Sequence, residues 1–139
     1  MAKVIYNNII PFSGYKAITI LPFVFARKKS EPLDDKTLNH ESIHLSQQLE
    51  VMAVAAVLMI ALCLTCLSWW WMCAAPIAYY AWYCLEYVIR LFAYGRGHEA
   101  YHNICFEQEA YLHEVDLYYL ESRKAFAWTK YLFRKSFKR

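Results

Sequence analysis

The stretch VMAVAAVLMIALCLTCLSWWWMCAAPIAYYAWYCL, Val51–Leu85, decides the fold. Only Thr65, Ser68 and Pro76 in it fall outside the apolar set, and it contains no charged side chain. The chain is 139 residues long, and all of its Lys, Arg, Asp and Glu lie in the flanks. There the apolar share drops to about 48%, an ordinary value for a globular domain. Two materials are therefore joined in one chain, a charge-free block and flanks of normal polarity. This excludes a disordered chain, a collagen-like chain and an ordinary water-soluble single domain. The flanks hold enough residues for one compact unit and no more.

A bilayer core about 30 Å thick takes roughly 20 apolar residues of helix. Val51–Met72 supplies one such span, and Ala74–Phe92 a second whose only charges are Glu86 and Arg90. Between them Trp69, Trp70 and Trp71 suit a membrane–water interface, and Pro76 suits the first turn of a new helix. The pattern predicts a two-helix transmembrane hairpin with a tight turn on the far side. Lys3, Lys16, Arg27, Lys28, Lys29 and Lys36 precede it, and a comparable set from Arg96 to Arg139 follows it. The turn carries no positive charge, so both termini are expected in the cytoplasm. A block that begins only at Val51 is not a cleavable signal peptide. The five cysteines (63, 66, 73, 84 and 105) show no disulfide spacing and are expected as free thiols. Glu86 and Arg90, one helical turn apart, predict an intramembrane ion pair that braces the two helices, with Arg90 level with Glu50. Two spans bury little lipid-facing surface, which leaves room for a homo-oligomer.

In the N-terminal flank, Val4–Ala26 alternates apolar residues with turn formers and predicts one or two strands, Ala17–Leu21 and Phe23–Phe25. Asp34 or Asp35 can N-cap a helix that starts near Lys36. Nothing breaks that helix before the Trp cluster, so it is expected to run about 37 residues, roughly 55 Å. Gly95-Arg96-Gly97 ends the second span, and a third helix is expected from Tyr101 to Arg123. The tail Lys124–Arg139 interleaves six positive charges with aromatic residues. Anionic lipid suits it better than nucleic acid, for which no motif is present. The expected architecture is mainly α: a two-helix transmembrane hairpin with a cytoplasmic glutamate helix and a short N-terminal β segment. Its segments are 1–35, 36–94, 95–123 and 124–139.

The entering helix carries His40-Glu41-Ser42-Ile43-His44. On a helix the two imidazoles stand one turn apart on one face and can grip one metal, while Glu41 beside them can take a proton from a metal-bound water. Zinc in such a site needs a third protein ligand and an open position. The third helix offers Glu107 and Glu109, which point about 200° apart, so they cannot both reach one ion.

Asn39-His40-Glu41-Ser42-Ile43-His44-x-x-Gln47-Gln48, with Phe106-Glu107-Gln108-Glu109-Ala110-Tyr111 further on, resembles the gluzincin metalloproteases. It also resembles small bacterial membrane proteins that share these two segments. The likeness covers those segments and not the whole chain. It implies one zinc ion held by His40, His44 and Glu107, Glu41 as catalytic base, a peptide or protein substrate, and a bacterial inner-membrane location. Thermolysin-like enzymes carry Asp where this chain has Tyr111. Tyr111 and Glu114 follow Glu107 on its helix face and, with Gln48, are candidates for a supporting layer; packing against the first helix is their plainer role. Tyr101, His98, His102 and His113 are candidate oxyanion donors. Strand Ala17–Phe25 could pair with a substrate peptide by its edge.

His98-Glu99-Ala100-Tyr101-His102 repeats the motif. It follows two glycines, so its histidines are not expected to share a helix face, and at most it supplies an auxiliary residue. If both Glu-x-x-His motifs counted equally, they could join Glu50, Glu86, Glu107 or Glu109 in a di-iron carboxylate centre, making a membrane oxidase or hydroxylase. A non-catalytic membrane adaptor with a structural metal is the remaining alternative.

Overall fold

The computed structural model describes residues 3–11 and 14–134. The protein is mainly helical with a small N-terminal sheet. Strands β1 (Lys3–Asn7), β2 (Ala17–Ile20) and β3 (Phe23–Arg27) lie in the order β1-β3-β2. β1 runs parallel to β3, and β2 pairs with it antiparallel, Ala17 opposite Ala26 and Ile20 opposite Phe23. The sheet thus has one strand more than the turn pattern suggested. Period-two alternation sets its faces: Ala17, Thr19, Val24 and Ala26 are buried, while Ile18 and Ile20 point outward.

Helix α1 spans Asp35–Thr65. Asp34 is its N-cap, its carboxylate accepting the Thr37 N–H at 3.2 Å and the Thr37 hydroxyl at 2.7 Å. The helix stops at Thr65, short of the Trp cluster and of the expected length. There Cys66 leaves helical geometry and the N–H groups of Cys66 and Leu67 both turn back to the Leu62 carbonyl. α1 is the one helix among the described residues that is long and apolar enough to cross a membrane, and only 11% of its most apolar window is buried in the protein. Its apolar surface is therefore not spent on the protein's own core.

The return differs from the expected second span. Trp69–Ile77 forms a 3-10 helix that packs back along α1, with Pro76 inside it, and helix α2 begins only at Ala78. α2 ends at Tyr94, capped by Gly95 in the left-handed conformation that glycine adopts without strain. Its 17 residues make about 25 Å, less than a bilayer core of roughly 30 Å. Tyr79 and Tyr80 at its start already reach Gln47 and Gln48, so α2 sets out beside the polar half of α1.

Past Gly95 the expected single helix is three: α3 (Gly97–His102), α4 (Cys105–His113) and α5 (Tyr119–Ser122). Asn103 makes the first break, its side chain donating to the Glu99 carbonyl at 2.8 Å. The second break is held from α1. Asn39 Nδ2 donates to the carbonyls of His113, Glu114 and Asp116 at 2.9–3.2 Å, which satisfies the open C-terminus of α4.

Glu86 and Arg90 pair as expected, Nε to Oε1 at 2.8 Å, but they brace other elements. The Glu86 carboxylate accepts the Cys105 N–H at 2.9 Å, and Arg90 donates to the Leu132 carbonyl at 3.1 Å. Glu50 instead receives Arg123, which also holds Glu109 through Nε at 2.7 Å, and Trp128 Nε1 at 3.1 Å. Trp128 lies in the core against Phe106, whereas Phe133 is exposed; Lys135–Arg139 lie outside the described residues. The five cysteines are free.

Arg123 is thus the cation between two carboxylates, the half-buried Glu50 on α1 and the buried Glu109 on α4. Arg123→Met should destabilise the protein by about 3–5 kcal/mol, the cost of leaving buried charge uncompensated. Thermal unfolding of the detergent-solubilised chain measures this, and an unchanged midpoint would deny the clamp its role.

Candidate metal centre

His40 and His44 project from one face of α1 onto Glu107, which α4 presents antiparallel to them. All three are buried. His40 Nε2 and His44 Nε2 lie 3.1 Å apart, His44 Nε2 is 3.3 Å from Glu107 Oε1, and His40 Nε2 is 3.6 Å from Glu107 Oε2. Ligand atoms about 2.0–2.2 Å from one tetrahedral ion stand roughly 3.3 Å from each other. The three residues therefore form a group that could hold a metal ion.

Hydrogen bonding behind the rings sharpens this. His44 Nδ1 faces Gln47 Oε1 at 2.8 Å. The Gln47 amide is oriented because its Nε2 donates to the Phe106 carbonyl and to Glu109 Oε2. His40 Nδ1 faces Glu114 Oε2 at 3.1 Å. Each Nδ1 thus faces an acceptor, so in the neutral rings the proton belongs on Nδ1 and both Nε2 lone pairs are left toward one another and a carboxylate. Glu107 Oε1 accepts the Tyr83 hydroxyl at 2.7 Å, whereas its buried Oε2 has no hydrogen-bond partner. Three electron-rich atoms face one point, and only a cation relieves that.

Without a metal, protons take this part. Burial disfavours a charged His40, but Glu107 and Glu114 outweigh it and raise the ring to about 9. His44 is raised as well, Glu107 overcoming the same burial penalty. Burial alone would favour a neutral Glu107, yet His44 and His40 hold it well below the usual carboxylate range.

Glu41 is buried beside the group, its Oε2 accepting the Thr19 hydroxyl at 2.6 Å. It lines a cavity of about 540 Å³ together with His40, His44, Glu107, Tyr101 and His98. A smaller cavity of about 320 Å³ meets the first at Ala17, His40, Glu41 and Tyr101. β2 forms the wall. The Arg27 N–H to Lys16 carbonyl bond makes that pair a hydrogen-bonded one, so the backbone groups of Ala17 and Thr19 point to the free edge. Gln48 clamps the far end of this edge, Nε2 to the Thr19 carbonyl at 2.8 Å and Oε1 to the Leu21 N–H at 3.1 Å.

The remaining candidates fall as follows. Glu109 is turned away to Arg123 and Tyr119, and contributes by orienting Gln47. Tyr111 packs its ring on His40 at 4.7 Å, and Glu114 supplies the acceptor behind His40. Gln48 belongs to the strand, and Gln47 is the residue behind His44. His98 and His102 do share a helix face, Nε2 to Nε2 at 3.1 Å, on α3. His113 reaches Tyr131 instead of the cavity. Glu50, Glu86 and Glu109 are each held by arginine, so the carboxylates a two-iron centre requires are engaged elsewhere. Sequence reading passed over Thr19 and Arg123, since nothing local marks either. Gln47 and Asn39 were visible in the motif, but their partners were not.

No family model, no curated protein and no solved structure matches the chain.

His40→Ala or His44→Ala should abolish tight metal binding. Glu114→Leu, which removes the acceptor behind His40, should weaken it about 10–100-fold, as supporting-layer changes do. Competition against a fluorescent chelator reads both; equal affinity in Glu114→Leu would show that the ring needs no such partner.

Proposed function

We propose that this chain is a membrane-embedded zinc metallopeptidase of gluzincin type that cuts peptide bonds near the cytoplasmic face of a bacterial inner membrane. The observation that carries the reading is the facing pair of histidine lone pairs, closed by Glu107, with Glu41 one residue away in the same cavity. His40, His44 and Glu107 would hold the ion, leaving a fourth position open. Bound zinc supplies a Lewis acid and lowers the pKa of water toward neutrality.

Glu41 does the proton work in this reading. It takes a proton from the attacking water and delivers it to the leaving amine. The Thr19 hydroxyl on Oε2 fixes the carboxylate's orientation, leaving Oε1 for the water. The edge-facing backbone groups of Ala17 and the Thr19 N–H suit an extended peptide laid antiparallel along β2, short of the Thr19 carbonyl that Gln48 holds. Such a peptide would pass Glu41 where the two cavities meet.

Membrane residence draws support from polarity turned inside out. On α2 the inward residues are Tyr79, Tyr83, Glu86 and Arg90, while Leu85, Ile89 and Phe92 face outward, Phe92 at 86% exposure. The apolar outer half of α1 continues this surface. Lipid is the solvent that such a surface fits, and the excess of lysine and arginine on both flanks favours cytoplasmic termini.

Glu41→Gln should lower hydrolysis of a quenched fluorogenic peptide library by about 10²–10⁴-fold, the usual weight of a general base, while zinc content stays at one per chain. Equal turnover by both proteins, or none by the wild type with stability that depends on zinc, would replace the peptidase with a structural site. Topology has its own check. With Cys66 as the sole cysteine, a membrane-impermeant maleimide added outside right-side-out vesicles should label it if the hairpin crosses the bilayer; protection would mean that the tip stops within it.

A further inference from the structure

We propose that His98 and His102 form a second cation site, a pair of imidazoles at the rim of the cavity that binds a divalent transition ion of the kind imidazole favours, such as Cu²⁺, Ni²⁺ or Zn²⁺. The proposal stands on the geometry of α3 and is independent of any peptidase activity.

Gly95 ends α2 in a left-handed cap, and the chain restarts as helix at Gly97 without a longer loop. Gly97 also permits a close approach. A Cβ there would sit 3.1 Å from the Tyr87 hydroxyl, so the absence of one lets α3 press its first turn onto α2. Because α3 is helical from that residue, His98 and His102 fall one turn apart on the same face. Their Nε2 atoms approach to 3.1 Å, the same separation as in the His40–His44 pair. Their ring centroids are 4.3 Å apart, against 4.8 Å in the buried pair. Two such nitrogens converging on one point match two sites of a single coordination sphere.

The placement adds to this. His98 is exposed and lines the same cavity as the buried group, so an ion has open access. Tyr111 lies between the two histidine pairs, its ring 4.7 Å from His40 and 4.6 Å from His102. The rim pair is thus separated from the buried centre by one aromatic ring. Glu99, the middle residue of this second motif, is taken up by Arg96 at 3.3 Å and does not join the histidines. Among the described residues the rim site therefore draws on His98 and His102, with water to fill other positions. It should bind less tightly than the buried site and exchange faster.

The test uses the full-length, detergent-solubilised chain with zinc already in the buried site, titrated with Cu²⁺. Zinc is silent in electron paramagnetic resonance, so the signal reports the added ion alone. The wild type should take up one equivalent of Cu²⁺ with a spectrum showing two nitrogen donors. His98→Ala and His102→Ala should each lose that equivalent or hold it with a single nitrogen, and both should keep the zinc. In His44→Ala the buried zinc should be lost while the two-nitrogen copper signal persists. Copper bound equally by wild type and both α3 variants, or no two-nitrogen signal in the wild type, overturns the proposal. In that case the 3.1 Å contact is an ordinary hydrogen bond between one neutral imidazole and the other.

Discussion

Two imidazole Nε2 atoms held 3.1 Å apart inside a protein, with a carboxylate closing the triangle, form an arrangement that favours positive charge, whether a metal ion or protons. Electrostatic repulsion among three buried acceptors would open the site if the rings could turn. They cannot, because Gln47 and Glu114 hold the opposite nitrogen of each ring. Those partners are themselves held. Gln47 is anchored by Glu109 and by the Phe106 carbonyl, Glu109 by Arg123, and Glu114 by Lys36 at 3.0 Å. The tertiary structure around the polar half of α1 can be followed outward from this one constraint.

α1 joins two kinds of surface. Its first turns carry the polar residues that build the centre, and its later turns are apolar on nearly every side. A helix of this kind couples the position of the histidines to whatever medium holds its far end. The return leg strengthens the coupling. By folding back as a 3-10 helix it brings Tyr79, Tyr80 and Tyr83 to Gln47, Gln48 and Glu107, so the charge-free block itself closes one side of the centre. The inward face of α2 is the polar one, an order that suits a hydrocarbon surrounding and would be costly in water.

The resemblance read in the sequence covers two short segments, and the support behind His40 departs from it. The position that carries Asp in thermolysin-like enzymes is Tyr111, whose ring packs on His40 and offers that ring's Nδ1 no carboxylate. Glu114, three residues later and almost one turn further along the chain, takes over that function through Oε2. It lies beyond the last residue of α4, so it reaches His40 only because Asn39 binds the carbonyls around it and fixes the helix end.

The sequence alone determined what local chemistry can specify. The histidine pair and Glu41 were legible from helical spacing, the start of α1 from the Asp34-Asp35 pair, the end of α2 from Gly95, and the apolar surface of α1 from a long run without charge. It also pointed to Glu107 and Glu109 as rivals, with a helix turn sufficient to exclude one of them. Only the tertiary structure decided which one faces the histidines, that Arg123 and not Arg90 meets Glu50, that the glutamate helix breaks twice, and that His98 and His102 converge. Each of these depends on which distant groups are close enough to satisfy a buried donor, acceptor or charge. Spacing along one chain carries no information about that, because the pairing energy appears only once the partners share a dry interior.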